Sequence, residues 1–183
     1  MANPTITIKF ENGKEIKAEL YPERAPFNVQ FLLDGIETYE YEWVPVHTAM
    51  KDVAIALGFY DKNGYGRGYG EEFEELFRED TDEYEQIGSK EIYPHECGTL
   101  ALVEPRLPET WRQQLAVILT DKPVLAVDGK PVVLRPIGRV TEGLEYAREL
   151  SHVETNEDLT PKTTIMVENV YPEGGLKWTG ARA

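Results

Sequence analysis

Three groups of residues in this chain of 183 have types and spacings from which chemistry could be built. The first is His47-Thr48, near the start of an apolar, strand-like run, PVHTAMKDVAIALGFY (45–60), that contains no arginine, glutamine or serine. His47 reads as a binding-groove residue or a general base, or, more plainly, as a polar ring satisfied at a strand end. The second is His95-x-Cys97. Structural zinc takes four ligands and no second pair stands at suitable spacing, so no metal is expected. Cys97, the single cysteine, would need an activating base and a lowered pKa to serve as a nucleophile.

The third group is the glycine-rich stretch DKNGYGRGYG (61–70). A phosphate cradle needs a following helix start and usually a lysine or hydroxyl. Here EEFEE follows instead, and its carboxylates oppose an anion. Glu71, Glu72, Glu74 and Glu75 read as a solvated charge run, with an anionic face for a basic partner as the sharper alternative. Trp111, beside Arg112, is either a lid over a ligand or an aromatic that covers the core. No cofactor is expected.

The elements that must position these residues are mostly strands. TITIKF alternates through Ile6, Ile8 and Phe10, and EIKAELY through Ile16, Ala18 and Leu20. Asn12-Gly13 between them predicts a hairpin closed by a type I′ turn. PERAPFNVQFLLDG predicts a short helix, with Pro26 in its first turn and Gly35 as its stop. The 45–60 run then reads as a strand through Val53, Ile55 and Leu57. Residues 71–91 fit either a short amphipathic helix or a loop that packs aromatics. GTLALV (98–103), QLAVILT (114–120), PVVLRPIGRV (131–140) and TTIMVENVY (163–171) read as strands, with VDGK as the turn before the third. TEGLEYARELSH (141–152) reads as a helix N-capped by Thr141. Many strands with two helices imply a mainly β fold, a closed or nearly closed barrel whose open ends the helices cover. It is expected to be a single domain over 1–172, with 173–183 as a tail.

The formal net charge of −14 argues against nucleic acid and against anionic membrane surfaces as partners. Hydrophobic residues at 41% suit a globular chain, and no apolar stretch approaches the roughly 20 residues of a membrane helix. The start, MANPTITIKF, has no signal-peptide pattern, and a cytoplasmic location is the expectation.

ENGKEIKAELYPERAPFNVQFLL resembles the opening of a cyclophilin-type peptidyl-prolyl cis-trans isomerase, in which E-L-Y-P-E-x-A-P leads from a hairpin into the first helix. DGKPVVLRPIGRVTEGLEYARELS resembles the family's later segment, where D-G-K precedes a strand, G-x-V and an E-G-[LM] helix start. GTLALV resembles its G-x-L-S-M-A strand. The three lie in family order across nearly the whole chain. The resemblance implies a closed antiparallel eight-stranded β-barrel capped by two α-helices, with protein folding as the associated role and a proline-containing peptide or a small molecule as the partner.

The groove departs from the family. V-H-T (46–48) takes the place of F-H-R, which keeps His47, puts Thr48 at the family's arginine and Ala56 at the glutamine eight residues on. A one-residue slide puts Ala49 at the arginine instead. Ala126 stands at the aromatic before L-D-G-K, and Pro131 at the histidine after it. Counting forward from GTLALV puts Gln113 at the second groove glutamine; counting back from DGK puts Ala116 there and Ile118 at the phenylalanine of the proline pocket. The counts differ by three, an insertion within PRLPETWR (105–112).

Loss of the arginine bears directly on activity. Peptide-bond rotation faces about 18–20 kcal/mol because the nitrogen lone pair is delocalised. A guanidinium over the prolyl nitrogen hydrogen-bonds that lone pair only as the bond twists, so it stabilises the rotated state selectively. Threonine cannot supply the charge. The expectation is a groove that binds, with isomerase activity weak or lost; the alternative is an active isomerase that assists folding. A small-molecule enzyme built on His47, His95 or Cys97 has the least support.

Overall fold

The computed structural model describes residues 2–58, 96–103, 114–121, 126–127, 130–131 and 134–174. The chain opens with β1 (Thr5–Phe10) and β2 (Glu15–Leu20), paired antiparallel with Ile8 opposite Ile16. The hairpin stands, but its turn is not type I′. Only Gly13 has a positive φ, 84°, and the Phe10 N–H bonds to the Lys14 carbonyl at 2.9 Å. The loop therefore has three residues and closes through one left-handed glycine, the second common hairpin solution.

Helix α1 (Pro26–Glu37) follows, with Pro26 at its first position, where a missing N–H costs nothing. It runs past Gly35, the expected stop, and ends at Thr38. Gly35 is buried inside it, and its carbonyl accepts the Glu40 N–H at 2.9 Å.

The run at 45–60 is two strands, not one. β3 (Val44–Met50) and β4 (Ala54–Leu57) form a hairpin reversed at Lys51-Asp52-Val53. Asp52 holds φ 56°, a left-handed conformation that Asp tolerates better than most residues. The polar pair Lys51-Asp52 was the signal for this break.

β5 (Thr99–Val103), β6 (Gln114–Ile118) and β9 (Leu134–Glu142) carry three of the expected strands, and β10 (Met166–Pro172) the last. β7 (Ala126–Val127) and β8 (Lys130–Pro131) make a separate two-stranded sheet around the expected VDGK turn. Thr141 is not a helix cap. β9 continues through Glu142, opposite Lys17, and the Thr141 hydroxyl donates to the Lys17 carbonyl at 3.3 Å. Helix α2 (Leu144–Ser151) is instead preceded by Gly143. The expected helix-or-loop at 71–91 lies outside the described residues.

The strands close into an antiparallel barrel in the order β1-β10-β3-β4-β6-β5-β9-β2. Gly138 lets β9 lie against β2: a Cβ there would fall 2.1 Å from the Glu19 carbonyl oxygen. One interior core joins alternate residues of the strands, such as Ile8, Ile55, Leu100, Leu115 and Val170, to Val29 and Leu32 of α1 and Ala147 and Leu150 of α2. α1 leaves the end of β2, while α2 sits by the β1–β2 turn, where Tyr146 meets Phe10 edge-on at 5.0 Å. The two helices thus plug opposite ends, and burial of their apolar faces is what holds short helices in place. Among the described residues, no helix is long and apolar enough to cross a membrane.

Candidate functional site

Alternation along β4 and β6 sends Ile55, Leu57, Leu115 and Val117 into the core and Ala54, Ala56, Ala116 and Ile118 to the outer face. There they form a second apolar cluster, flanked by Met50, Val53, Val103 and Leu134. Register places the residues of this face in rows. Thr48 is opposite Ala56, Ala56 opposite Ala116, Ala116 opposite Ala101, and Ala101 opposite Pro136. Residues directly opposed across a ladder lie about 4.5–5.5 Å apart on one face. One row of small side chains therefore crosses five strands. The next row holds Met50, Ala54 and Ile118.

Four of the residues assigned from sequence to one groove, Thr48, Ala56, Ala116 and Ile118, thus come together on this outer face. Of the two counts for the second glutamine, the one that gives Ala116 falls on the row. Gln113 and Trp111 lie outside the described residues, and Ala126 belongs to the separate β7–β8 pair. Sequence reasoning missed Gln114, which pairs with Val103 at the row's edge and is partly exposed. Its signal was alternation: in QLAVI, positions 114, 116 and 118 share a face.

His47 occupies an irregularity in the ladder. Val46 pairs with Leu57 and Thr48 with Ala56, so His47 is the extra residue of a β-bulge. Its Nδ1 lies 2.8 Å from the Thr48 Oγ1, the hydroxyl donating when the ring proton is on Nε2. Burial pushes the His47 pKa down to about 4, since a charged ring would forfeit its hydration. The ring is neutral at pH 7. His47 and Thr48 therefore bring one hydrogen-bonded pair and no charge to the row.

Two arginines among the described residues, Arg148 and Arg139, are engaged elsewhere. The Arg148 guanidinium donates to the Asp52 carboxylate at 3.2 Å, to the Leu119 carbonyl at 3.3 Å and to the Cys97 sulfur at 3.4 Å. Arg139 lies 3.9 Å from Glu96, and Arg135 is opposite Leu102, off the row. Arg67, Arg106 and Arg112 lie outside the described residues, as does His95. The Cys97 backbone N–H donates to the Asp121 carboxylate at 2.9 Å. Among the described residues, no three His, Cys, Asp or Glu side chains gather as a metal site would require. Chemically, Ala56, Ala116 and Ala101 of the row and the neighbouring Ile118 are buried, while Thr48, Met50, Val103, Gln114 and Leu134 stay partly exposed around them, an apolar rim with one hydroxyl and one amide.

A closed barrel of eight antiparallel strands with a helix at each end defines a known class of protein. The model of the family described as "Cyclophilin type peptidyl-prolyl cis-trans isomerase/CLD" matches residues 5–171, and the chain belongs to that family. The peptidyl-prolyl cis-trans isomerase-like 4 proteins of mouse and human are each 24% identical over 155 residues. That match takes in 85% of this chain but 30% of theirs. Among solved structures, a Cryptosporidium parvum cyclophilin type peptidyl-prolyl cis-trans isomerase superposes with a TM-score of 0.64 at 17% identity, covering 95% of this chain and 99% of that one. The structure of the same protein in the presence of the dipeptide Ala-Pro gives 0.60 at 18% identity, covering 91% and 96%.

Proposed function

We propose that this chain is a divergent cyclophilin-like binding protein, whose outer-face groove takes a proline-containing peptide or a small apolar molecule and whose isomerase activity is weak or lost. The carrying observation is the row Thr48–Ala56–Ala116, which bears no charged side chain. Isomerase catalysis by this family's route rests on a cation that hydrogen-bonds the twisting amide nitrogen. Thr48 supplies a hydroxyl that already faces a neutral His47 ring. What stays partly exposed on the face is apolar, namely Met50, Val103 and Leu134, around the buried Ala54, Ala56, Ala116 and Ile118. Such a lining favours apolar contact, with Gln114 and Thr48 to orient the ligand. A prolyl ring fits that description, and a related isomerase has been crystallised in the presence of Ala-Pro.

The test is a titration of the labelled protein with an Ala-Pro tetrapeptide, followed by two-dimensional NMR. Saturating shifts confined to Thr48, Ala56, Gln114, Ala116 and their neighbours are expected. Shifts centred elsewhere, or none at millimolar peptide, contradict the reading.

A further inference from the structure

Residues 37–43, Glu-Thr-Tyr-Glu-Tyr-Glu-Trp, join α1 to β3 and set three aromatic rings among three carboxylates. Tyr41 is 1% exposed and belongs to the core, whereas Tyr39 and Trp43 are 67% and 52% exposed. Both of these also have positive φ, 61° and 51°. Each position thus carries two penalties at once. A left-handed backbone strains an aromatic residue and would suit glycine or asparagine better. The ring, meanwhile, stands in water without burying its apolar area.

The segment is held in place. The N–H groups of Tyr39, Glu40 and Glu42 bond to the carbonyls of Ile36, Gly35 and Tyr39 at 3.2, 2.9 and 3.3 Å, and that of Trp43 to the Glu168 carbonyl at 3.3 Å. With Tyr41 anchored in the core, the two rings are presented from a fixed backbone. Rigid aromatics exposed in this way mark contact surfaces more often than they mark packing.

The surrounding charge selects the partner. Glu37 and Glu42 are exposed beside the rings, and Glu168 adjoins Trp43 with one lysine, Lys9, 3.3 Å from its carboxylate. The chain as a whole carries −14. That balance repels a second copy or an anionic bilayer and attracts a cation. Exposed aromatics with glutamates next to them in the chain suit arginine in particular, whose planar guanidinium stacks on a ring while its N–H groups reach a carboxylate.

We propose that Tyr39 and Trp43, with Glu37 and Glu42, form a docking surface for an extended, arginine-bearing segment of a partner protein. The surface is independent of the groove, so either can fail without the other.

The experiment is fluorescence anisotropy with a labelled Gly-Gly-Arg-Gly-Arg-Gly-Gly probe and the full chain at low salt, repeated with Tyr39→Gly and Trp43→Gly. Both substitutions leave the net charge unchanged and suit the positive φ, so melting temperatures equal to or above the parent's are expected. Probe affinity should fall about tenfold in each variant, and a lysine probe should bind the parent more weakly than the arginine probe. Equal affinity of parent and variants would mean diffuse charge attraction alone and overturns the proposal. Absence of binding at millimolar protein also overturns it. So does sedimentation in which the parent self-associates and Trp43→Gly does not, because the occupant would then be a second copy.

Discussion

Thr48 and Ala56 face each other across the β3–β4 hairpin, and Ala56 faces Ala116 in turn. The resemblance puts Thr48 and Ala56 in one groove and offers Ala116 or Gln113 for its second glutamine, and the register sets Thr48, Ala56 and Ala116 side by side. All three are small and uncharged.

Restoring the cation should restore some activity. Thr48→Arg stands opposite a single methyl group and beside a neutral histidine, so neither bulk nor charge opposes the new guanidinium. One preorganised donor is worth about 100- to 1,000-fold where its supports are intact. Here a gain of about tenfold is expected, because Ala56 offers the arginine no hydrogen bond. Thr48→Arg combined with Ala56→Gln should exceed it in a coupled prolyl-peptide assay.

His47 makes stability pH-dependent. Its folded pKa is about 4 against an ordinary 6.5, so between those values the unfolded chain binds the proton and the folded chain does not. Stability from this residue is therefore full above pH 6.5, falls as pH drops through the window and is gone below 4. The penalty at pH 4 amounts to about 3 kcal/mol at most. Urea midpoints at pH 7 and pH 5 should differ in the parent and converge in His47→Gln, and the ring should remain neutral at pH 5 by NMR.

Asp52 ties the β3–β4 hairpin to α2 and the residue that follows it. Its carboxylate accepts from His152 Nε2 at 2.6 Å and from Arg148 at 3.2 Å, and its backbone N–H donates to Ser151 Oγ at 3.2 Å. The hydrogen bond from His152, then that from Arg148, holds the Asp52 pKa below its ordinary value. Asp52→Ala loses these bonds and puts an alanine at positive φ, so it should lower the thermal midpoint most. Asp52→Asn, which tolerates that φ, should fall between Ala and the parent, and the gap between Asn and parent should shrink in high salt.

Barrel closure depends on one missing methyl group. Gly138→Ala would push a Cβ into the Glu19 carbonyl, and backbone cannot yield as a flexible side chain can. A loss of about 3 kcal/mol is expected from denaturant unfolding, at the upper end for overpacking.

The barrel was readable in the sequence from two-residue alternation in TITIKF and EIKAELY, aliphatic runs in GTLALV and QLAVILT, and family motifs over EIKAELY and GTLALV; all four segments became strands. The misses arose where a local residue was outvoted by its neighbours. Lys51-Asp52 reversed a run that looked continuous because apolar residues flank it on both sides. Gly35 did not stop α1, since Ile36 still had core to reach. Thr141 stayed in β9 because its ladder with β2 extends to Glu142. The groove row was only half readable. Spacing from one motif gave Ala116 and from another gave Gln113; the first lies on the row, and the second lies outside the described residues. The exposure of Tyr39 and Trp43 left no trace in the sequence, because their connection alternates as a half-buried strand would.

Turnover of a standard proline tetrapeptide by the purified parent chain, measured beside an ordinary cyclophilin at equal concentration, is the most direct measurement. A kcat/KM at least about 100-fold below the reference is expected from the absent cation. A value comparable to the reference would mean that another group polarises the twisting amide, and would contradict the proposed loss of isomerase chemistry.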